Sequence, residues 1–154
     1  MSLNNIFDIA GSAMSAQSIR LNTTASNIAN ADSAASSTDE VYRARKPVFA
    51  AIQHDALLQA MSGDASAGNL MPQTGDAGSQ GVQVLDIVES DAALEMRYEP
   101  DHPMANEDGY VMYPNVNVVE EMADMLSASR SFQTNVDVMD AAKTMLQRVL
   151  TLGQ

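Results

Sequence analysis

The sequence predicts an α+β fold in which long N- and C-terminal helices form a coiled-coil-like helical domain, with a small β-rich region inserted between them. Near both ends of the chain, apolar residues recur at alternating spacings of three and four, the pattern of paired helices. In the middle, short stretches of alternating apolar and polar residues are separated by turns that contain Gly and Pro. We therefore expect an N-terminal helix at 1–31, a β-rich domain at 32–117 with a flexible loop at 62–81, and a C-terminal helix at 118–154.

The first helix is predicted from Leu3 to about Ala31. One stripe along it is formed by two sets of residues at heptad spacing, Phe7, Met14, Leu21 and Ile28 together with Ala10, Gln17 and Thr24. The remaining surface carries Ser, Thr and Asn instead of the charged residues that usually cover a water-facing helix. Small side chains suit close packing against helices of neighbouring subunits. The asparagines Asn22, Asn27 and Asn30 either satisfy polar groups across such a contact or cap the helix end.

The second helix is predicted from about Val118 to Leu152. Asn117 and Glu120 have the spacing of an N-terminal capping box. Its apolar stripe is predicted to consist of Met122, Met125, Ser129, Phe132, Val136, Met139, Lys143 and Leu146, in which Lys143 does not fit. At 1.5 Å per residue this helix is roughly 50 Å long, so we expect much of it to project from a small domain.

Between the helices the pattern favours short strands. Strands are predicted at 41–49, 82–88, 94–98 and 110–113, and the second and third of these are predicted to pair as a hairpin around residues 89–93. Residues 32–40 are predicted to form a polar loop, and residues 101–109 a turn. Residues 50–61 could be a short helix or an extension of the first strand, and the pattern leaves both possibilities open.

The composition excludes several classes of function. A net charge of −12 disfavours a surface that binds nucleic acid, and the absence of Cys excludes disulfides, thiolate metal sites and cysteine nucleophiles. The two histidines, His54 and His102, have no zinc-site spacing and no nucleophile pattern beside them. The N-terminus lacks the basic start and continuous apolar run of a cleaved secretory signal. We therefore expect no enzymatic activity, no small-molecule substrate, no cofactor and no metal.

Charge is distributed unevenly along the chain. Residues 1–46 carry four acidic and four basic residues, whereas residues 86–154 carry 13 acidic and four basic residues and have a net charge of −9. This asymmetry is compatible with attraction between the N-terminal helix and the acidic C-terminal half. The alternative is that most of these carboxylates form a solvated face.

The apolar stripes of the terminal helices indicate a role in assembly. Each carries one apolar stripe, so the two can pair, but a lone pair leaves apolar side chains partly exposed. A head-to-tail contact between copies that does not close into a ring builds a helical filament. The candidate interface residues are Phe7, Met14, Leu21, Asn27, Ile28 and Asn30 on the first helix and Met125, Phe132, Val136, Met139 and Leu146 on the second. A competing hypothesis is a binding protein or secretion substrate whose helices form a simple stalk or bind a chaperone. A third hypothesis is an enzyme, which would need a compact pocket.

Several segments resemble one known family. The stretch NTTASNIANADS resembles the N-terminal signature of flagellar rod, hook and filament axial proteins. The stretches YRARKPVF and GVQVLDIVES, and the sequence from YEPDHPMANEDGYVMY to the final TLGQ, are similar to the rod branch of that family. The chain departs from the family pattern where DSAASSTDEVYR replaces the common TPGY element, and residues 51–80 are longer and richer in Ala and Gly.

The resemblance implies a non-catalytic structural subunit of the proximal rod, the drive shaft of the bacterial flagellum. It implies a place in the basal body, in a rod that spans the periplasm, and export through the flagellar type III apparatus without a cleaved signal peptide. The terminal helices would then polymerise into an inner tube, with the β region facing outward. The implied partners are other copies of the chain, the rod proteins FlgB, FlgF and FlgG, and the adaptor FliE.

Overall fold

The computed structural model describes residues 3–52 and 81–152. Within these residues it contains two helices and four strands, in the order α1 (Leu3–Ala29), β1 (Arg45–Ala51), β2 (Val82–Glu89), β3 (Glu95–Tyr98), β4 (Tyr110–Tyr113) and α2 (Val118–Leu152). The predicted α+β class, with terminal helices and a small β region between them, is confirmed. The expected loop at 62–81 lies outside the described residues except for Gly81, and so does the undecided segment beyond Ile52.

The end of α1 is fixed by the side chain of Asn30. Its Nδ2 donates to the carbonyl of Ser26 at 2.8 Å, and its own carbonyl accepts from Ser33 Oγ at 2.7 Å. The backbone N–H of Asn30 also reaches the carbonyls of Ser26 and Asn27, each at 3.2 Å. Of the two interpretations left open for the asparagines, helix capping is therefore the one observed at Asn30.

The start of α2 follows the predicted cap. Asn117 Oδ1 accepts from the backbone N–H of Val119 at 3.1 Å and of Glu120 at 3.4 Å, which satisfies donors that have no partner within the helix. The Glu120 carboxylate contacts Lys46 Nζ on β1 at 3.3 Å. At 35 residues, α2 is about 52 Å long.

The two helices pack antiparallel. Arg20, two thirds of the way along α1, pairs with Asp124 near the start of α2 at 2.6 Å, while Ala10 in α1 and Ala142 near the far end of α2 are both buried. Leu3 lies 17 positions before Arg20. In an antiparallel pair it therefore lies opposite the residue 17 positions after Asp124, which is residue 141. About ten residues at the end of α2, roughly 15 Å, therefore extend past the described start of α1.

The buried stripe of α2 lies one position away from part of the predicted stripe. Ala128 and Ala142 are 0% and 4% exposed, whereas Met122 is 57% exposed and both Ser129 and Lys143 face outward. The misfit of Lys143 is thereby explained, because its neighbour Ala142 occupies the seam. On α1 the small residues are again the more buried set, namely Ala10, Ala16, Thr23, Thr24 and Asn27. Small side chains on both helices allow their backbones to approach closely.

The strands form two separate antiparallel pairs. β1 pairs with β2 from Arg45 opposite Glu89 to Ala51 opposite Val82, with an irregularity between Val48 and Phe49. β3 pairs with β4. The predicted hairpin between the second and third strands is therefore wrong. β2 is paired with β1 instead, and the segment after β2 is attached to the residues before α2, since Asn115 Nδ2 donates to the carbonyls of Ser90 (3.3 Å) and Ala92 (2.9 Å).

Two side-chain contacts attach the β1–β2 ribbon to α1. At one end, the amide of Asn27 bonds both backbone groups of Arg45: Nδ2 donates to its carbonyl at 2.8 Å, and Oδ1 accepts from its N–H at 2.9 Å. At the other end, the hydroxyl oxygen of Ser12 accepts from the N–H of Val82 at 3.1 Å. Fifteen residues of helix span roughly 22 Å and six strand steps span roughly 20 Å, so the ribbon lies lengthwise along α1 between these two points.

The core of the described residues is sparse. Most of its buried apolar residues are alanines, and the larger ones are Val41, Val111 and Tyr113. Many large apolar side chains remain exposed, including Leu85 at 61% and Leu150 at 70%. A small buried area gives little hydrophobic stabilisation. In a single chain, much of the apolar surface of the described residues is left without a partner.

Candidate subunit interface

The large apolar residues predicted on α1 flank its seam with α2. Phe7, Met14, Leu21 and Ile28 are each half-buried, beside the more deeply buried row that contains Ala10 and Thr24. Part of each large side chain is therefore covered within the chain, and part remains at the surface. A row of this kind can take part in a contact with a neighbour without unpacking the helix pair.

The predicted row on α2 has a similar position. Met125, Val136, Met139 and Leu146 are half-buried, and Phe132 is 36% exposed. Met125, Phe132, Met139 and Leu146 repeat every seven residues beside the small-residue seam of Ala128 and Ala142. Whether these side chains contact another chain stays a prediction.

Asn27 and Asn30, the polar members of the predicted set, have partners inside the chain. Asn27 is 1% exposed, and besides the backbone of Arg45 it binds the Tyr42 hydroxyl, which donates to Asn27 Oδ1 at 2.8 Å. Asn30 caps α1, as described above. Their candidate roles in a subunit contact stay predictions, but both have structural roles that the spacing of the sequence did not distinguish.

Two groups of exposed apolar residues lie on α2, and of their members only Leu150 was expected from the sequence to stay partly exposed. At the start of the helix, Val119, Met122 and Leu126 are 76%, 57% and 56% exposed. At its far end, Met145, Val149 and Leu150 are 62%, 63% and 70% exposed, on the part of α2 that extends past α1. The first group follows the i, i+3, i+7 spacing of a helical stripe, so the signal was present in the sequence. It was hidden because Met122 was assigned to the seam.

Ion pairs join the N-terminal part of the chain to its acidic C-terminal half. In addition to Arg20–Asp124 and Lys46–Glu120, Arg45 pairs with Glu89 across the β ribbon at 3.0 Å. The Lys46–Glu120 and Arg45–Glu89 pairs are exposed, so each contributes about 1 kcal/mol or less. Of the two interpretations of the charge asymmetry, attraction thus applies to Glu89, Glu120 and Asp124, two of which hold α1 and β1 against the start of α2.

The described residues offer no metal centre and no membrane span. Across residues 3–52 and 81–152, no three His, Asp or Glu side chains are grouped to hold a metal ion. No helix in the same ranges is long and apolar enough to cross a bilayer. Of the two histidines considered as ligands, His102 accepts a hydrogen bond from the N–H of Met104 at 3.1 Å inside a turn, and His54 lies outside the described residues.

Both terminal regions match models of flagellar rod families. Residues 7–34 match the family described as "Flagella basal body rod protein", and residues 107–152 match the "Flagellar basal body rod FlgEFG protein C-terminal" family. These two matches cover most of α1 and all of α2.

Full-length relatives carry one name. The chain is 47% identical to the flagellar basal-body rod protein FlgC of Escherichia coli O6:H1 and 46% identical to that of Salmonella typhimurium, over the whole of both chains in each case. It is 34% identical to FlgC of Bacillus subtilis, over 96% of this chain and 95% of the relative.

Proposed function

Because the chain belongs to the FlgC family of flagellar basal-body rod proteins, and is therefore a structural and non-enzymatic subunit of the basal-body rod, we propose that it assembles into the rod through the uncovered faces of α1 and α2. The observation that carries this proposal is the exposure of large apolar side chains at both ends of α2. Exposed apolar patches on a chain with so small a core favour burial against further chains.

The half-buried rows support the same contact. Phe7, Met14, Leu21 and Ile28 on α1, and Met125, Phe132, Val136, Met139 and Leu146 on α2, keep part of their surface after the helices have paired. In the assembled rod, neighbouring helices would cover these parts. Asn27 would act from inside the chain by fixing the angle between α1 and β1, and Asn30 by ending α1 where the chain turns toward the β region.

Membership in this family supports a proposal for the wider assembly. We propose that the neighbours in the rod are other copies of the chain, the rod proteins FlgB, FlgF and FlgG, and the adaptor FliE. The rod would span the periplasm, and the chain would reach it through the flagellar export apparatus without cleavage of a signal peptide.

The test uses the exposed end of α2. The double substitution Met145→Gln and Val149→Thr keeps side-chain volume nearly constant and removes apolar surface that is 62% and 63% exposed. We expect the purified variant to keep its free energy of unfolding within about 0.5 kcal/mol, since exposed positions contribute little to the stability of the isolated chain. In cells that lack the natural chain, it should fail to restore rods and swimming.

A matched control comes from the same turn. Thr144→Ser and Gln147→Asn change two exposed polar side chains of α2 by similar amounts, and this variant should restore swimming. Intact rods and normal swimming with the Met145/Val149 variant, at natural protein levels, would contradict a role for this end of α2 in assembly.

A further inference from the structure

The β3–β4 pair exposes a face of large side chains on the side away from the core. Residues opposite each other in an antiparallel pair point to the same side, so Met96 and Met112 share one face with Tyr98 and Tyr110. Met96, Tyr98 and Tyr110 are 63%, 65% and 42% exposed. We call these four residues the tyrosine–methionine face.

The opposite face of the same pair is attached to the rest of the chain. Val111 is fully buried, and Tyr113 donates a hydrogen bond from its hydroxyl to Glu99 at 3.3 Å. Burial raises the pKa of Tyr113, and the charge of Glu99 adds to this, so the phenol stays protonated and able to donate. The guanidinium of Arg97 lies 4.4 Å from the centre of the Tyr113 ring and bonds Glu95. Arg97, the basic residue of β3, therefore makes its contacts on this inner face.

Local contacts hold the two tyrosines in place. Their ring centres are 5.3 Å apart in an edge-to-face arrangement. Next to them, Asn106 Oδ1 accepts from the N–H of Tyr110 at 2.8 Å and of Asp108 at 3.1 Å. Gly109 has a φ of +79°, and a Cβ at this position would lie 3.0 Å from the Tyr98 ring. The face is therefore ordered before any partner binds, which lowers the entropic cost of binding.

The charged residues of the connection beside this face are acidic. The connection between β3 and β4 at 99–109 contains Glu99, Asp101, Glu107 and Asp108 and no Lys or Arg. Within the described parts of the chain, Asp101, Glu107 and Asp108 form no ion pair. Glu99 differs from them, because it accepts from Tyr113 on the inner face and interacts electrostatically with Arg97. Aromatic rings next to free carboxylates attract cationic side chains, because a ring face and a carboxylate both favour positive charge.

We propose that the tyrosine–methionine face is a docking site for a different protein that presents arginine or lysine side chains to it. A second copy that met this face with its own tyrosine–methionine face is the less suitable occupant, since the contact would bring the acidic 99–109 connections of both copies together. The proposal goes beyond assembly through the helices, because β3 and β4 lie outside α1 and α2 and their outward face takes no part in the helix pair.

A peptide titration tests the chemistry of the site. The purified full chain, labelled with ¹⁵N, is titrated in low salt with an acetylated and amidated Arg-Gly-Arg-Gly-Arg peptide, and with the Glu counterpart as control. The Arg peptide should shift the amide resonances of Tyr98, Gly109 and Tyr110, and the Glu peptide should not. Tyr98→Ala should abolish these shifts, and the triple substitution Asp101→Asn, Glu107→Gln and Asp108→Asn should weaken binding at least fivefold. The absence of shifts, or equal shifts around Asp137 and Asp140 on α2, would overturn the proposal.

Crosslinking in cells tests the identity of the occupant. A photoreactive phenylalanine analogue replaces Tyr98, and the crosslinked peptides in isolated basal bodies are identified by mass spectrometry. The expected product joins the analogue at position 98 to a peptide of another protein that contains Arg or Lys. The triple substitution should reduce the yield of this product. An adduct with a second copy of this chain, or with an acidic peptide, would overturn the proposal. The same analogue at Phe132 reports on the helix contact separately, so adducts at Phe132 without any at Tyr98 would also overturn it.

Discussion

Asn27 illustrates what a single residue type can and cannot predict. The clustering of Asn near the end of α1 indicated that these amides have partners, but the sequence left open whether the partners lie in another chain or at the helix end. The structure adds a third possibility, in which the Asn27 amide bonds the N–H and the carbonyl of Arg45 as a neighbouring strand would. This could not be predicted, because Arg45 is 18 positions away and reaches Asn27 only through the turns that follow α1.

Asn27→Asp should destabilise the isolated chain. A carboxylate cannot donate to the Arg45 carbonyl, and a charge would be placed at a position that is 1% exposed. We expect the free energy of unfolding in urea to fall by roughly 3 kcal/mol. The matched control is Asn22→Asp, which introduces the same charge at an exposed position of the same helix and should change stability by about 0.5 kcal/mol or less. Equal stabilities of the two variants would contradict the proposed role of Asn27.

Gln17 marks a weak point in the seam between the helices. Its Oε1 is buried and has no hydrogen-bond partner in the described chain. Because an unpaired buried acceptor costs roughly 1–3 kcal/mol, Gln17→Met, which has nearly the same shape, should stabilise the chain by about 1 kcal/mol in urea unfolding. Gln133→Met on the exposed face of α2 is the control and should have little effect. A destabilised Gln17→Met chain would show that the amide makes a favourable contact in solution.

At the level of elements, the helices were predicted more successfully than the strand pairs. The bounds of α2 agree with the sequence pattern because the Asn117 cap and the apolar periodicity are both local signals. The seam was shifted because Ala128 and Ala142 were treated as neutral positions and Met122 as core, whereas close helix packing favours the small residues. The pairing of β2 with β1 spans 28 residues that lie outside the described ranges, and strand periodicity contains no information on the partner.

Gly81→Ala tests the attachment of the β ribbon to α1. Gly81 has a φ of +136°, and a Cβ there would overlap Ser12 Oγ, the atom that accepts from Val82. We expect a loss of roughly 1–3 kcal/mol in the free energy of unfolding, together with faster amide exchange at Val82. Gly11→Ala is the matched control: it is helical with nothing within 4 Å of the added Cβ, and it should stabilise the chain by roughly 0.5–1 kcal/mol. If both changes stabilised the chain, the contact between Ser12 and the ribbon would not exist in solution.

For the whole molecule, the sparse core and the exposed ends of α2 have a common explanation in assembly. The few aromatic residues and the many Ala, Ser and Thr positions already indicated that a single chain buries little apolar surface. The sequence could not indicate which end of α2 extends past α1, because that depends on the antiparallel register set by Arg20 and Asp124.

Amide hydrogen exchange on the dilute chain tests this view. The terminal helices should exchange fast, most of all residues 145–152, while the β region around Val111 and Tyr113 should exchange at least tenfold more slowly because it contains the larger buried side chains. The same helical amides should become protected in isolated rods. Slow exchange along the whole of both helices in the dilute chain would mean that one chain completes its own packing.

The lengthwise attachment of the β ribbon to α1 has a mechanical consequence. The contacts at Ser12 and Asn27 define two fixed points on the helix, and the ribbon between them has nearly the same length as the helical segment it accompanies. Bending or stretching that segment would change the separation of the two points, which the hydrogen-bonded strands resist. The ribbon therefore stiffens this part of α1 against flexion and extension, a property suited to a component that carries load.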